Sequence, residues 1–287
     1  MAESLTSAFQ HRGRSVAYQR VGGGPPIVLL HHAGGHHRIW ADQVPALQRD
    51  HEVFVLDMPG YGLSDQPADG YRLSDYTTML AAFLDELRLT NVVLIGNCLG
   101  SATALNYTIR HPERVRGLVL LNPLTRNTVR RSRSGPLAWL DARLPLERAA
   151  QAISLPDPLI RRIVTNQLGP RGRSRGLHRT ERLMAHWGDR GRLTGLHGLV
   201  QGFPAFSALD IFIPPESFPP ICTIWGARNH VLSARAGARL NRTLRPRTAE
   251  FLPDCGHLPM VEDPERVNGI ILEFLIRGDR PIPAHPA

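Results

Sequence analysis

Lysine is absent from this chain; all 34 of its basic residues are arginine, so its positive charge is carried by guanidinium groups. Cysteine is scarce. Cys98, Cys222 and Cys255 are too few and too scattered for a disulfide framework or a zinc module, and the odd count leaves at least one thiol free. No apolar run is long enough to cross a bilayer, so no membrane partner is expected. The first residues lack a basic-then-apolar export pattern, and the expectation is a cytoplasmic protein. Signatures of nucleic-acid binding are also missing, although the net charge is +9. Residues 125–210 hold 15 arginines against 6 acidic residues, and the rest of the chain holds 19 against 19. The excess therefore belongs to one segment, without a helix-turn-helix, a finger or aromatic-basic interleaving, and a nucleic-acid partner is not expected.

What is present suits a globular chain of 287 residues, 42% hydrophobic and 21% charged: one large core with an insertion, or two modest domains. Short apolar runs alternate with stretches of helical spacing. Ser15–Val21 reads as an early edge strand. Pro26–His31, Glu52–Asp57, Asn91–Gly96, Arg116–Leu121, Ile221–Trp225 and Ala249–Leu252 read as further strands. Tyr76–Leu89, Leu99–Arg110, Ala234–Leu244 and Pro264–Ile276 read as helices. Strands apolar throughout and joined by helices imply a parallel sheet covered on both faces, with ligands beyond the carboxyl ends of its strands. Thr125–Asp210 interrupts the rhythm with short helical pieces (Leu137–Leu144, Leu159–Leu168, Thr180–Trp187) and reads as a cap over that edge.

The sharpest chemical signal is Gly96-Asn97-Cys98-Leu99-Gly100, where a buried strand runs directly into a helix. Two glycines permit a strained turn that thrusts the middle side chain into the cleft. Cys98 is the candidate nucleophile; the helix N-terminus favours its thiolate, and the Leu99 N–H can face an oxyanion. The same pentapeptide also fits a buried cysteine in an ordinary turn, so context matters. The stretch His31-His32-Ala33-Gly34-Gly35-His36-His37 supplies it, because its tight loop can present a second N–H, that of Ala33. Adjacent histidines cannot both face one ion from an extended chain, and no Asp or Glu lies nearby, so no metal and no cofactor is expected. His32, His36 and His37 are candidates for the substrate pocket. His257 follows a strand and a glycine, which places it on a loop at the same sheet edge as a candidate general base.

Together these motifs resemble the α/β-hydrolase superfamily over nearly the whole chain, from about Ser15 to Ile276. Asp57-Met58-Pro59-Gly60-Tyr61-Gly62-Leu63-Ser64-Asp65 is similar to its D-x-x-G-x-G-x-S-D segment, His31-His32 stands at its oxyanion loop, and Gly256-His257-Leu258-Pro259 with Glu262 and Pro264 resembles its histidine segment. The resemblance is to capped esterases, epoxide hydrolases and ring-cleavage-product hydrolases. It implies an α/β fold: a mostly parallel eight-stranded sheet with helices on both faces, a core of residues 1–124 and 211–287, and an arginine-rich helical cap of residues 125–210 after the sixth strand. It also implies Cys98 as nucleophile, His257 as base, and Ala33 and Leu99 as oxyanion donors.

Two departures from that pattern stand out. The nucleophile is cysteine, as in dienelactone hydrolases and polyhydroxyalkanoate synthases of the superfamily. Asn229 stands where the acid is expected, and the other position used for it, after the sixth strand, is Asn122. A thiol is acidic enough to form a thiolate–imidazolium pair, whose histidine needs mainly orientation; an amide oxygen can supply that, and Cys-His-Asn is a working set in papain-like proteases. The expectation is therefore Cys98–His257–Asn229, with Asn122 as substitute orienter; decayed catalysis is the alternative. The activity expected is hydrolysis of an ester, thioester or lactone through an acyl-cysteine. The alternatives are acyl transfer to another acceptor, non-covalent lyase or isomerase chemistry, and a silent binding protein. Trp139, Trp187 and Phe203 are expected at the pocket or in the core. The cap arginines fit either a solvated surface or the docking of an anionic acyl carrier, coenzyme A or an acidic carrier protein.

Overall fold

Apolar runs of strand length bounded by Gly, Pro or polar turns become eight strands: β1 (Thr6–His11), β2 (Arg14–Gly22), β3 (Pro26–Leu30), β4 (Glu52–Leu56), β5 (Val92–Asn97), β6 (Val115–Leu121), β7 (Ile221–Gly226) and β8 (Thr248–Leu252). In the computed structural model, which describes residues 6–136, 140, 147–189 and 192–278, they form one sheet of order β1-β2-β4-β3-β5-β6-β7-β8. The β1–β2 and β2–β4 pairs are antiparallel, and the other pairs are parallel.

Successive side chains of a strand point to opposite faces, and here both faces are covered. Leu30, Phe54, Leu94 and Leu120 join one buried cluster, which includes residues of α1 (Leu73–Glu86) and α2 (Leu99–Arg110). Leu29, Val55, Ile95 and Val119 join a second cluster. That second face is covered by Ile160 and Val164 of α3 (Asp157–Gln167) and by Val267, Ile271 and Phe274 near the chain's end. α4 (Ala234–Leu244) places Leu240 and Leu244 in the first cluster, and α5 (Pro264–Gly278) carries the terminal residues of the second.

Most expected boundaries shift by a residue or two, and two differences from the sequence reading have a local physical reason. Ser15–Val21 is not the sheet edge; β1 lies outside it, joined through Arg12 (φ 53°) and Gly13 (φ 74°). Two successive positive φ values make the two-residue hairpin turn that matches strand twist, and an arginine in the first position hides that signal. α1 starts at Leu73 because the Arg72 N–H donates to the Asp75 carboxylate at 3.0 Å, an N-terminal cap ahead of the apolar periodicity.

The segment between β6 and β7 is a series of short helices. Of the expected pieces, Leu159–Leu168 is realised as α3, while Thr180–Trp187 shrinks to one turn, Glu181–Met184. Apart from Leu140, the Leu137–Leu144 piece lies outside the described residues. Among the described residues no helix is long and apolar enough to cross a membrane.

Candidate active site

The carboxyl ends of β3, β5 and β6 meet around Cys98, and the loops after β7 and β8 bring Asn229 and His257 together. The Cys98 backbone sits at φ 53°, ψ −108°, a strained conformation for a residue with a Cβ. The strain is held in place from three sides: Cys98 N–H donates to the Leu121 carbonyl (2.9 Å), Gly100 N–H to the His31 carbonyl (3.1 Å), and Ala102 N–H to the Cys98 carbonyl (3.0 Å). A Cβ at Gly100 would lie 2.1 Å from the Leu30 carbonyl oxygen, and one at Gly96 would lie 2.3 Å from the Gly100 carbonyl carbon. Both elbow glycines are therefore required by backbone contact. The N–H groups of Leu99 and Ala33 both hydrogen-bond the sulfur.

The electrostatics at the sulfur differ from the sequence expectation. Burial pushes the Cys98 thiol up to about 12, and the Leu99 and Ala33 N–H groups oppose that shift without cancelling it. Burial also brings the His257 ring down to about 3. Both changes favour neutral partners, so the resting site holds a thiol and an imidazole rather than a thiolate–imidazolium pair. The helix N-terminus is outweighed because the sulfur has lost its water.

His257 is fastened by its backbone. Its N–H donates to the Gln167 carbonyl (2.6 Å), and its carbonyl accepts from the amide nitrogens of Asn122 (3.1 Å) and Asn97 (3.3 Å). Asn122 therefore does not orient the ring. It ties the histidine loop to the end of β7, where its Oδ1 accepts the Gly226 N–H at 3.1 Å.

Asn229 does reach the ring, but with the opposite end from the one expected. Its Oδ1 accepts the N–H groups of Val231 (2.9 Å) and Leu232 (3.0 Å), two donors that an amide nitrogen could not satisfy. Nδ2 is thus the end 3.1 Å from His257 Nδ1. A donor at that place makes Nδ1 the acceptor, and a neutral ring then carries its proton on Nε2. Among the described residues this is the hydrogen bond made to the His257 ring. The tautomer is the reverse of the one a base acting through Nε2 requires.

The other candidates divide. His32 is buried, packs edge-to-face on His257 with ring centroids 5.6 Å apart, and is hydrogen-bonded by the Gln167 side chain. His36 and His37 serve the loop instead. His37 Nδ1 and N–H meet the Asp57 carboxylate at 2.8 and 2.6 Å, and His36 Nε2 lies 3.1 Å from the Arg182 carbonyl. Trp187 is buried against the loop after β3: a Cβ at Gly34 (φ 85°) would lie 2.4 Å from its ring. Phe203 packs on the first core cluster beside Phe206, ring centroids 5.8 Å apart. Trp139 lies outside the described residues. Among the described residues no cluster of three His, Cys, Asp or Glu could hold a metal ion.

Two residues that position the histidine loop are given no role by the sequence reading. Glu262, fully buried, accepts the N–H groups of Gly256 and Leu258 through Oε1 (2.7 and 3.3 Å) and those of Gly169 and Gly172 through Oε2 (2.7 and 3.3 Å). Its spacing from His257 is visible in the motif, but its partners in the inserted segment are not. Gln167 has no signal at all, since it stands at the end of an amphipathic helix with no pattern around it.

Comparisons with known proteins agree with this architecture. The family model described as alpha/beta hydrolase fold matches residues 25–264. An uncharacterised protein of Mycobacterium tuberculosis is 27% identical over 282 residues, covering 90% of this chain and 77% of that one. The 2-hydroxy-6-oxononadienedioate/2-hydroxy-6-oxononatrienedioate hydrolase of Escherichia coli is 24% identical over 248 residues, covering 81% and 79%. Among solved structures, an alpha/beta hydrolase fold protein from Burkholderia ambifaria superposes with a TM-score of 0.79 at 23% identity, over 95% of this chain and 98% of that one. With its sheet, its elbow and its histidine loop in these places, the chain belongs to the α/β-hydrolase family and is an enzyme of the hydrolase type.

Proposed function

We propose that this enzyme hydrolyses an ester, thioester or lactone through an acyl-cysteine on Cys98. One observation carries the reading: the Leu99 and Ala33 N–H groups converge on the sulfur of a residue held in a strained strand-to-helix turn. A carbonyl attacked by that sulfur would develop its negative charge within reach of the same two donors. His257, neutral and protonated at Nε2, acts as an electrophile that donates a hydrogen bond to the substrate, a role open to a neutral imidazole. Residues 125–210 act as the cap, with Trp187 as part of its inner wall. Exposed Arg161, Arg162, Arg171, Arg175 and Arg179 on the cap receive an anionic acyl carrier, coenzyme A or an acidic carrier protein.

A second reading is favoured by the His257 tautomer alone: non-covalent chemistry in which Nε2–H and the two amides hold an anionic substrate, with no bond to sulfur. One experiment separates the two. The protein is incubated with free and carrier-linked thioesters, and intact and peptide masses are recorded. The acyl reading expects an adduct on Cys98, none in Cys98→Ala, and slower turnover of the carrier-linked substrates at high salt. Full turnover by Cys98→Ala would hand the case to the non-covalent reading; salt-independent turnover would remove the carrier.

A further inference from the structure

The face between the inserted segment and the core carries a histidine cluster that the chemistry at Cys98 leaves unused. We propose that His36, seated there against His186, is an acid-sensitive latch: taking up a proton drives it from its seat, releases residues 181–187 and opens the way to Cys98. The proposal rests on the cap reading above and adds its regulation.

Residues 181–187 meet the core through a small set of polar contacts. His36 Nε2 lies 3.1 Å from the Arg182 carbonyl, so that nitrogen carries the proton of a neutral ring. The Arg182 guanidinium reaches back to the Asp42 carboxylate and to the Ile39 carbonyl, each at 2.8 Å. Arg38 pairs with Glu181 at 3.1 Å. The His36 ring lies edge-to-face on His186, centroids 5.0 Å apart, and on His37 at 5.5 Å. Trp187 packs on Gly34, one residue from Ala33, whose N–H hydrogen-bonds the Cys98 sulfur. Cys98 keeps only 5% of its surface, so an acyl group needs an opening above it.

The segment is suited to come away by itself. Both cross-interface ion pairs are at least partly exposed, and such pairs are weak and screened by salt. Its helix is a single turn, Glu181–Met184. His186, at φ 66°, holds a left-handed conformation that a Cβ disfavours. Leu183 and Trp187 are its buried apolar anchors.

Acid acts on the seat of His36. Among the described residues, Asp57 favours a charge on this ring, and His186, His37 and His31 oppose it. Burial outweighs the carboxylate, and the seated ring stays neutral down to about pH 3, whereas a ring released to water titrates near 6.5. The open form therefore holds more protons between these values, and acid favours it. Opening gains about tenfold for each pH unit below that upper value and nothing above it. Asp57 and His37 (2.8 Å) both belong to the core, and Asp189 lies with His186 (3.0 Å) on the inserted segment, so opening parts neither pair.

Hydrogen exchange tests this directly. Peptide masses are followed at pH 7.5 and 5.5 in wild type and His36→Gln, each rate divided by that of an unstructured chain at the same pH. Glutamine keeps a donor for the Arg182 carbonyl and takes up no proton. Protection over residues 181–187 should fall about tenfold on acidification in wild type and stay within about twofold in His36→Gln. At pH 7.5, Arg182→Ala should lower that protection about tenfold and speed carbamidomethylation of Cys98 by iodoacetamide by the same factor. Protection that acid leaves unchanged in wild type, or lowers equally in His36→Gln, overturns the latch; faster labelling in Arg182→Ala would still uphold the cap. Protection equal to that of β3 and β5 would mean that the segment opens only with the whole chain, which also overturns the latch. A loosened segment with no faster labelling would mean that it does not cover Cys98, and the cap reading and the latch fall together.

Discussion

At the scale of single residues, Asn229 shows how much chemistry depends on which end of an amide faces a ring. Its place beyond β7 is legible from Trp225-Gly226-Ala227-Arg228-Asn229, but both ends of the side chain are the same letter in a sequence. The turn decides: Val231 and Leu232 need an acceptor, so the oxygen is taken and the nitrogen meets His257. In serine enzymes an amide at this place costs about 10⁴-fold by selecting the wrong tautomer. Asn229→Asp reverses the arrangement, since one carboxylate oxygen can keep the two backbone bonds while the other accepts from Nδ1–H. With ¹⁵N-labelled histidine, the His257 Nδ1 signal should move from the unprotonated to the protonated range in Asn229→Asp. Cys98→Ser, inactive alone, should regain at least tenfold in that background. Equal spectra for wild type and Asn229→Asp would refute the tautomer assignment. His257 and Cys98 were recognisable because glycine and strand ends mark them; their neutral resting state was not, because burial depends on neighbours that come from every part of the chain.

Elements carry a second kind of information. The strands were legible because both faces of the sheet are buried, which makes each run apolar without alternation, and β1 escaped because Arg12-Gly13 is an unusual hairpin pair. The join between the inserted segment and the histidine loop was not legible, since Glu262 is distant in sequence from Gly169 and Gly172. This carboxylate gathers N–H groups from both sides, and its own Arg175-bound carbonyl (2.9 Å) adds a third connection. Glu262→Ala should leave four buried donors without an acceptor, lowering stability by about 2–4 kcal/mol in urea titrations. Glu262→Gln, which can accept at only one of its two ends, should fall between. A Glu262→Ala midpoint equal to wild type would mean that water replaces the carboxylate and that the clamp is unimportant.

Over the whole molecule, acid is the condition under which these choices become visible together. His257 and His36 each fall from 6.5 to about 3 in the fold, and His32 is also held well below the ordinary imidazole value, all with burial as the leading cause. An unfolded chain binds protons at these rings below pH 6.5, whereas the folded chain refuses them until about pH 3 for His257 and His36. The unfolded state therefore holds more protons across that window, and stability rises with pH within it. Each such ring contributes a slope of about 1.4 kcal/mol per pH unit, and above the window it contributes none. Urea midpoints should thus be level from pH 7 to 8 and drop steeply from pH 6.5 to 5, before most carboxylates titrate. His36→Gln, which removes one of these rings away from Cys98, should make the drop shallower by about a third. A midpoint that holds constant down to pH 5 would mean that these imidazoles accept protons within the fold, and with that the neutral site around Cys98 would lose its physical basis.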